Sequence, residues 1–228
     1  MIYPYLQPLS ELFRGSANDV DAAFMSKYML NQFQYFGIRA PKQKEIRRYF
    51  FKTYGLPDPA EAPEMVKELW IQPEREYQYF GIDLSEKVLK KMDEDAIETI
   101  EFMIVNKPWW DTVDWIASHH AGKYFKSFPE KIPVITGAWM DSGNIWLQRT
   151  ALLFQLKYKK NTNEDLMFDY ISRLSRSREF FIRKAIGWAL REYSKTTPES
   201  VIRFVESTEL SGLSRREALK VMERNKSK

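Results

Sequence analysis

The sequence predicts an all-α protein built as an α-solenoid, on three observations. Only 9 of its 228 residues are Gly, and no stretch alternates apolar and polar residues for long enough to suggest a strand. Pro stands where helices should begin, at Pro41, Pro63, Pro73, Pro108, Pro129, Pro133 and Pro198; a first helical turn tolerates Pro because its missing N–H would find no partner there. The chain is also similar to itself. Trp146-Leu147-Gln148-Arg149-Thr150-Ala151 lies 35 residues before Phe181-Ile182-Arg183-Lys184-Ala185-Ile186, Glu76 to Ile82 fits the same frame two periods earlier, and Arg216-Glu217-Ala218-Leu219 lies 33 residues after Arg183-Lys184-Ala185-Ile186. A period of this length carrying two helices is the mark of stacked helical repeats.

The elements follow in order. Helices are expected over 3–14 and 18–36, then over 41–54, 61–71 and 74–90, where Pro41, Pro63 and Pro73 mark the starts. A helix over 94–105 precedes Pro108, which opens 109–120; a short helix over 122–127 follows, and Pro129 and Pro133 begin 129–140. The rest are 144–158, 164–173, 179–195, 198–206 (opening on Pro198) and 214–225. Helices so many and so short do not suit a four-helix bundle. The linkers are short and none has the composition of a domain boundary, so one domain over residues 1–228 is expected.

Composition narrows the chemistry. With 44% hydrophobic and 15% aromatic residues, the chain can form a packed core. No apolar run approaches the roughly 20 residues that span a bilayer, and Met1-Ile2-Tyr3-Pro4-Tyr5 lacks the pattern of a signal peptide; the expected compartment is the cytoplasm of a bacterial-type cell. There is no Cys, which excludes disulfides, thiol catalysis, iron–sulfur clusters and cysteine zinc sites. The imidazoles are His119 and His120, too few for a multi-His metal site; they read as polar residues at a helix end. The formal charge of +4 conceals an asymmetry: residues 1–114 carry 14 basic and 19 acidic side chains, whereas residues 115–228 carry 21 and 12. A C-terminal half with a net of +9 suggests a polyanionic partner, although a solvated basic surface would carry the same charge.

Three segments could do chemistry. In Lys107-Pro108-Trp109-Trp110-Asp111-Thr112-Val113-Asp114-Trp115, Trp110 and Asp114 are four residues apart and share one helix face. Asp114 could bridge to a neighbouring helix, or be an anion in an aromatic-walled cleft suited to a developing cation. In Asn144-Ile145-Trp146-Leu147-Gln148-Arg149, Arg149 could bridge repeats or clamp a phosphate. In the segment from Arg178 to Arg191, the stripe of Phe181, Ala185 and Trp188 reads first as core, yet Arg178, Arg183, Lys184 and Arg191 interleave with the aromatics, as in a nucleic-acid groove. No phosphate-binding Gly-rich loop, dinucleotide fingerprint or nucleophile elbow occurs.

Together these segments resemble the AlkD family of DNA alkylation-repair glycosylases, built from HEAT-like repeats. The residues that carry the resemblance are Trp109 to Asp114, Asn144 to Arg149 and Glu179 to Tyr193, with Leu69-Trp70, Pro73 to Tyr77 and Tyr35-Phe36-Gly37-Ile38 in support. The resemblance implies a right-handed solenoid that grips duplex DNA as a monomer, with no membrane contact, metal or cofactor. It implies a monofunctional glycosylase that excises purines alkylated at N3 or N7, bulkier cationic adducts included, without flipping the damaged base into a pocket, the usual route. Carried over by motif, Asp114 is the catalytic carboxylate, flanked by Trp110 and Trp188. Arg149, Tyr28, Phe180, Phe181, Arg183, Lys184, Arg191 and Lys157 are the expected DNA-binding residues. Arg39-Ala40-Pro41 replaces the family's Gln-Thr-Pro, a change at contacts to the undamaged strand. A non-catalytic duplex-binding solenoid and a HEAT-type protein scaffold are the other readings of the same features.

Overall fold

The computed structural model describes residues 3–88 and 93–226. All regular elements among them are helical, and the only pairing of extended backbone is a single bridge between Gln34 and Glu74. The last two residues of the helix expected over 74–90 lie outside the described residues. The chain divides into two compact units between Lys107 and Pro108.

The first unit contains α1 (Gln7–Arg14), α2 (Asp19–Tyr28), α3 (Ala40–Tyr54), α4 (Ala62–Ile71), α5 (Arg75–Val88) and α6 (Ala96–Val105). Its core is aromatic: Phe50 packs edge-on against Phe80 at 5.1 Å, and Phe13 meets Tyr77 at 5.2 Å, the geometry that aromatic quadrupoles favour. α2 stops eight residues short of the helix expected over 18–36. Leu30 and Asn31 adopt left-handed backbone (φ 55° and 56°), which ends a right-handed helix. The chain then runs extended, and the amides of Phe36, Gly37 and Ile38 donate to the buried Glu76 carboxylate at 3.0–3.1 Å.

The second unit contains α7 (Trp110–Trp115), α8 (Gly122–Ser127), α9 (Ile132–Asp141), α10 (Ile145–Leu153), α11 (Glu164–Leu174), α12 (Phe180–Tyr193), α13 (Pro198–Ser207) and α14 (Gly212–Lys226). α7 and α8 are not separate helices. A π-helical turn over Ile116–Ala121 joins them into one run from Trp110 to Ser127. His119 and His120 therefore sit inside a helix and not at its end, with His120 only 2% exposed. Such turns are rare and often mark functional sites. Side-chain caps start three of this unit's helices: Asn144 accepts from the amides of Trp146 and Leu147, Asn163 from that of Leu166, and Ser211 from that of Ser214, satisfying donors that a helix start leaves unpaired.

The repeat read from the sequence is visible in the helix starts. α7 begins at Trp110, α10 at Ile145 and α12 at Phe180, each 35 residues after the last. Asp114, Arg149 and Lys184 are thus each the fifth residue of their helix, and Glu217 is the sixth of α14. α12 and α14 cross closely at Gly187, where an added Cβ would lie 2.5 Å from the Glu217 Cβ and 2.9 Å from the Ser214 carbonyl oxygen.

Candidate active site

Stacking α7, α10 and α12 in register brings equivalent positions side by side. Arg149 Nε donates to Asp114 Oδ1 at 2.7 Å and Nη2 to Oδ2 at 2.9 Å, a paired fork, while Nη1 donates to the Phe181 carbonyl of the next helix. Arg149 is therefore fastened to both neighbours, with its side chain only 5% exposed against 17% for Asp114. Two-point guanidinium–carboxylate bonding fixes the plane of the carboxylate as well as its charge. Burial pushes the Asp114 carboxyl above the ordinary carboxylate range; the Arg149 guanidinium pulls it back and the nearby Asp111 adds to the rise, leaving it raised. An ionisable group displaced in this way within a cleft is a candidate for function.

Asp114 and Arg149 line a cleft of about 400 Å³ together with Trp110, Phe180, Phe181, Lys184, Trp188, Arg191, Glu217 and Lys220. Phe180 is 59% exposed. Phe181 is half-buried and packs against Trp109 at 5.1 Å and Trp146 at 4.9 Å. Glu217 accepts from Lys184 Nζ at 2.9 Å and from Arg191 Nη1 at 2.5 Å. The Lys184 bond, with the charges of Lys184, Arg191 and Lys220, holds the Glu217 carboxyl below its ordinary value. The cleft thus combines one carboxylate clamped by Arg149, aromatic surfaces, and cations partly offset by a second carboxylate. A smaller cavity of about 270 Å³, bordered by Leu152, Met167 and Tyr193, carries the Glu192–Lys195 pair, whose side chains are 33% and 50% exposed. Among the described residues, no group of three or more acidic or imidazole side chains could hold a metal, and no helix is long and apolar enough to cross a membrane.

Eight residues singled out in the sequence meet in this cleft: Trp110, Asp114, Arg149, Phe180, Phe181, Lys184, Trp188 and Arg191. Three of the residues expected to bind DNA do not line it. Arg183 donates to the Arg178 carbonyl, Lys157 lies against His119 and Trp115, and Tyr28 ends α2 in the first unit, 66% exposed. Ala185 is core, fully buried, whereas its stripe neighbours Phe181 and Trp188 border the cleft. Glu217 and Lys220 were missed. The signal was present: the offset of 33 residues that matches Arg216 to Arg183 also sets Glu217 opposite Lys184. Taking the stretch simply as basic concealed the acid within it.

A family model described as DNA alkylation repair enzyme matches residues 9–222. Among solved structures, the chain is similar to a predicted DNA alkylation repair enzyme from Enterococcus faecalis. The two are 34% identical, the match covers 90% of this chain and 96% of that one, and the TM-score is 0.82. Comparison with curated proteins gives no match.

Proposed function

This chain belongs to the family of DNA alkylation repair enzymes, and from that premise we propose that it is a monofunctional glycosylase of the AlkD type. It hydrolyses the N-glycosidic bond of cationic N3- and N7-alkylpurines, such as 3-methyladenine and 7-methylguanine, in duplex DNA and without base flipping. The observation that carries this reading is the setting of Asp114: a carboxylate clamped by Arg149 in a cleft shared with Trp110 and Trp188.

Alkylation at N3 or N7 makes the purine positive and a good leaving group, so its departure needs little acid catalysis. The barrier lies in the deoxyribose, which becomes oxocarbenium-like as its C1′–N bond breaks. The bonding pair leaves with the base, which departs neutral; water oxygen bonds to C1′, and its proton passes to Asp114 or to solvent. Ionised Asp114 stabilises the positive sugar and orients the water, and the Arg149 fork holds it in place. The indole faces of Trp110 and Trp188 attract the sugar's C–H edges as these become more positive. An abasic site is left. The match to the family model runs through both units, which supports a single glycosylase domain.

The test is release of 7-methylguanine from methylated duplex DNA by wild type and by Asp114→Asn, which deletes the charge and keeps the shape. Loss of one preorganised electrostatic group should lower the rate about 10²–10³-fold. Release at the wild-type rate would leave the Asp114–Arg149 fork as a bridge between helices and the chain as a duplex-binding protein.

A further inference from the structure

We infer that Trp115 and His119 form a positioning site that holds the Lys157 ammonium ready for a phosphodiester of duplex DNA. This rests on the reading of the chain as a duplex-DNA enzyme, and assigns roles to two residues outside the cleft. Trp115 directly follows Asp114 and is 43% exposed. The His119 ring lies flat on its indole, with centroids 3.7 Å apart and planes 7° from parallel.

The hydrogen bonds set the tautomer of that imidazole. Its Nδ1 is 3.1 Å from the Trp115 carbonyl oxygen, which can only accept. Nδ1 is also 3.0 Å from Ser118 Oγ, whose hydroxyl hydrogen already goes to the Asp114 carbonyl at 2.9 Å. Both neighbours therefore accept, and Nδ1 carries the proton. Nε2 is left with a lone pair, which accepts from Lys157 Nζ. The same ammonium stands 5.7 Å from the centroid of the Trp115 ring, within cation–π range.

The ammonium is thus located by a neutral acceptor and an indole, while Lys157 stays exposed to solvent. An ammonium has three donors, so two remain for phosphate oxygens. A carboxylate would hold the lysine too but would offset its charge, as Glu217 does for Lys184 and Arg191 in the cleft. A neutral imidazole localises the lysine and leaves its charge whole. A long side chain ordered beforehand loses less rotamer freedom on binding.

The experiment measures affinity for an undamaged duplex across a salt series. Lys157→Ala should weaken binding and shallow the slope of log K against log salt by about 0.9. His119→Phe keeps the stacked ring and deletes the acceptor; it should weaken binding about threefold to tenfold, the immobilisation cost of one such side chain. His119→Gln retains an acceptor and should recover most of that loss. In the Lys157→Ala background, His119→Phe should cost nothing further. Unchanged binding in His119→Phe, an equal loss in both backgrounds, or a wild-type slope in Lys157→Ala would overturn the proposal and leave the glycosylase reading standing. Failure of wild type to bind duplex DNA would overturn both.

Discussion

At the scale of single residues, burial and the Arg149 guanidinium act in opposite directions on the ionisation of Asp114. Burial raises its carboxyl, Arg149 lowers it, and the balance lies above the ordinary value of 3.8. A group raised in the folded state contributes stability that is fully present below its ordinary pKa and is lost as pH climbs through the raised value. Ionised Asp114 is therefore held at some cost to the fold, a common condition of functional groups. On the proposed mechanism excision needs the ionised form, so the acid limb of the pH–rate profile should lie above pH 3.8. Arg149→Met removes the group that lowers the carboxyl and should move that limb higher still. It should also cost roughly 3–5 kcal/mol wherever Asp114 stays ionised, since one member of a buried pair is left alone. Single-turnover excision across pH checks the first expectation; an unmoved limb would show that Arg149 does not govern the ionisation. For Asp114 the two readings that the sequence left open are not exclusive, since the salt bridge between helices fixes the plane of the carboxylate; for Arg149 the structure shows the bridge between helices, with donors engaged by Asp114 and the Phe181 carbonyl, and no phosphate clamp. What the sequence concealed was the partner, because a spacing of 35 residues brings side chains together only once the helices stack.

At the scale of elements, register organises the site. The fifth positions of α7, α10 and α12 meet because the repeat is constant from Trp110 to Phe180, and that constancy was legible in the self-similarity of the chain. Helix starts at Pro were legible too, since a first helical turn tolerates the missing N–H. Less legible were the end of α2, where Leu30 and Asn31 turn left-handed without a Gly, and the π turn at Ile116–Ala121, which has no composition of its own. Two glycines give opposite expectations. At Gly187, a methyl group would press on the Glu217 Cβ and the Ser214 backbone. Gly187→Ala should therefore cost about 1–3 kcal/mol by overpacking, and should displace the carboxylate that holds Lys184 and Arg191. Gly137, inside α9, has nothing within 4 Å of an added Cβ, so Gly137→Ala should gain about 0.4–1 kcal/mol. Denaturant midpoints of the two variants give the signs directly; a Gly187→Ala protein as stable as wild type would mean that α14 can shift without penalty.

At the scale of the whole molecule, charge separates the two units. Residues from Pro108 onward carry 21 basic and 14 acidic side chains, a net of +7, and those up to Lys107 carry 14 and 17, a net of −3. Duplex binding should therefore depend mainly on the second unit, and should weaken steeply with salt. α3 is the exception within the first unit. Lys42 is paired with Glu45 and Arg47 with Asp83, which leaves Lys44, Arg48 and Lys52 exposed. These three are spaced by four residues, so they form one ridge, about 6 Å of helix rise apart. No acidic side chain among the described residues pairs with them within salt-bridge distance, so their charge is fully available to a polyanion. Neutralising all three to Gln should shallow the salt slope by about 0.9 for every phosphate that the ridge neutralises in wild type. Neutralising three cations of the same unit that already have acidic partners, Arg39, Lys42 and Lys67, should change the slope far less. The two triple variants lose the same formal charge, so any difference between them reports position and not net charge. Equal slopes for both would mean that the first unit acts on DNA only through its overall charge, and that the ridge on α3 is a solvated face.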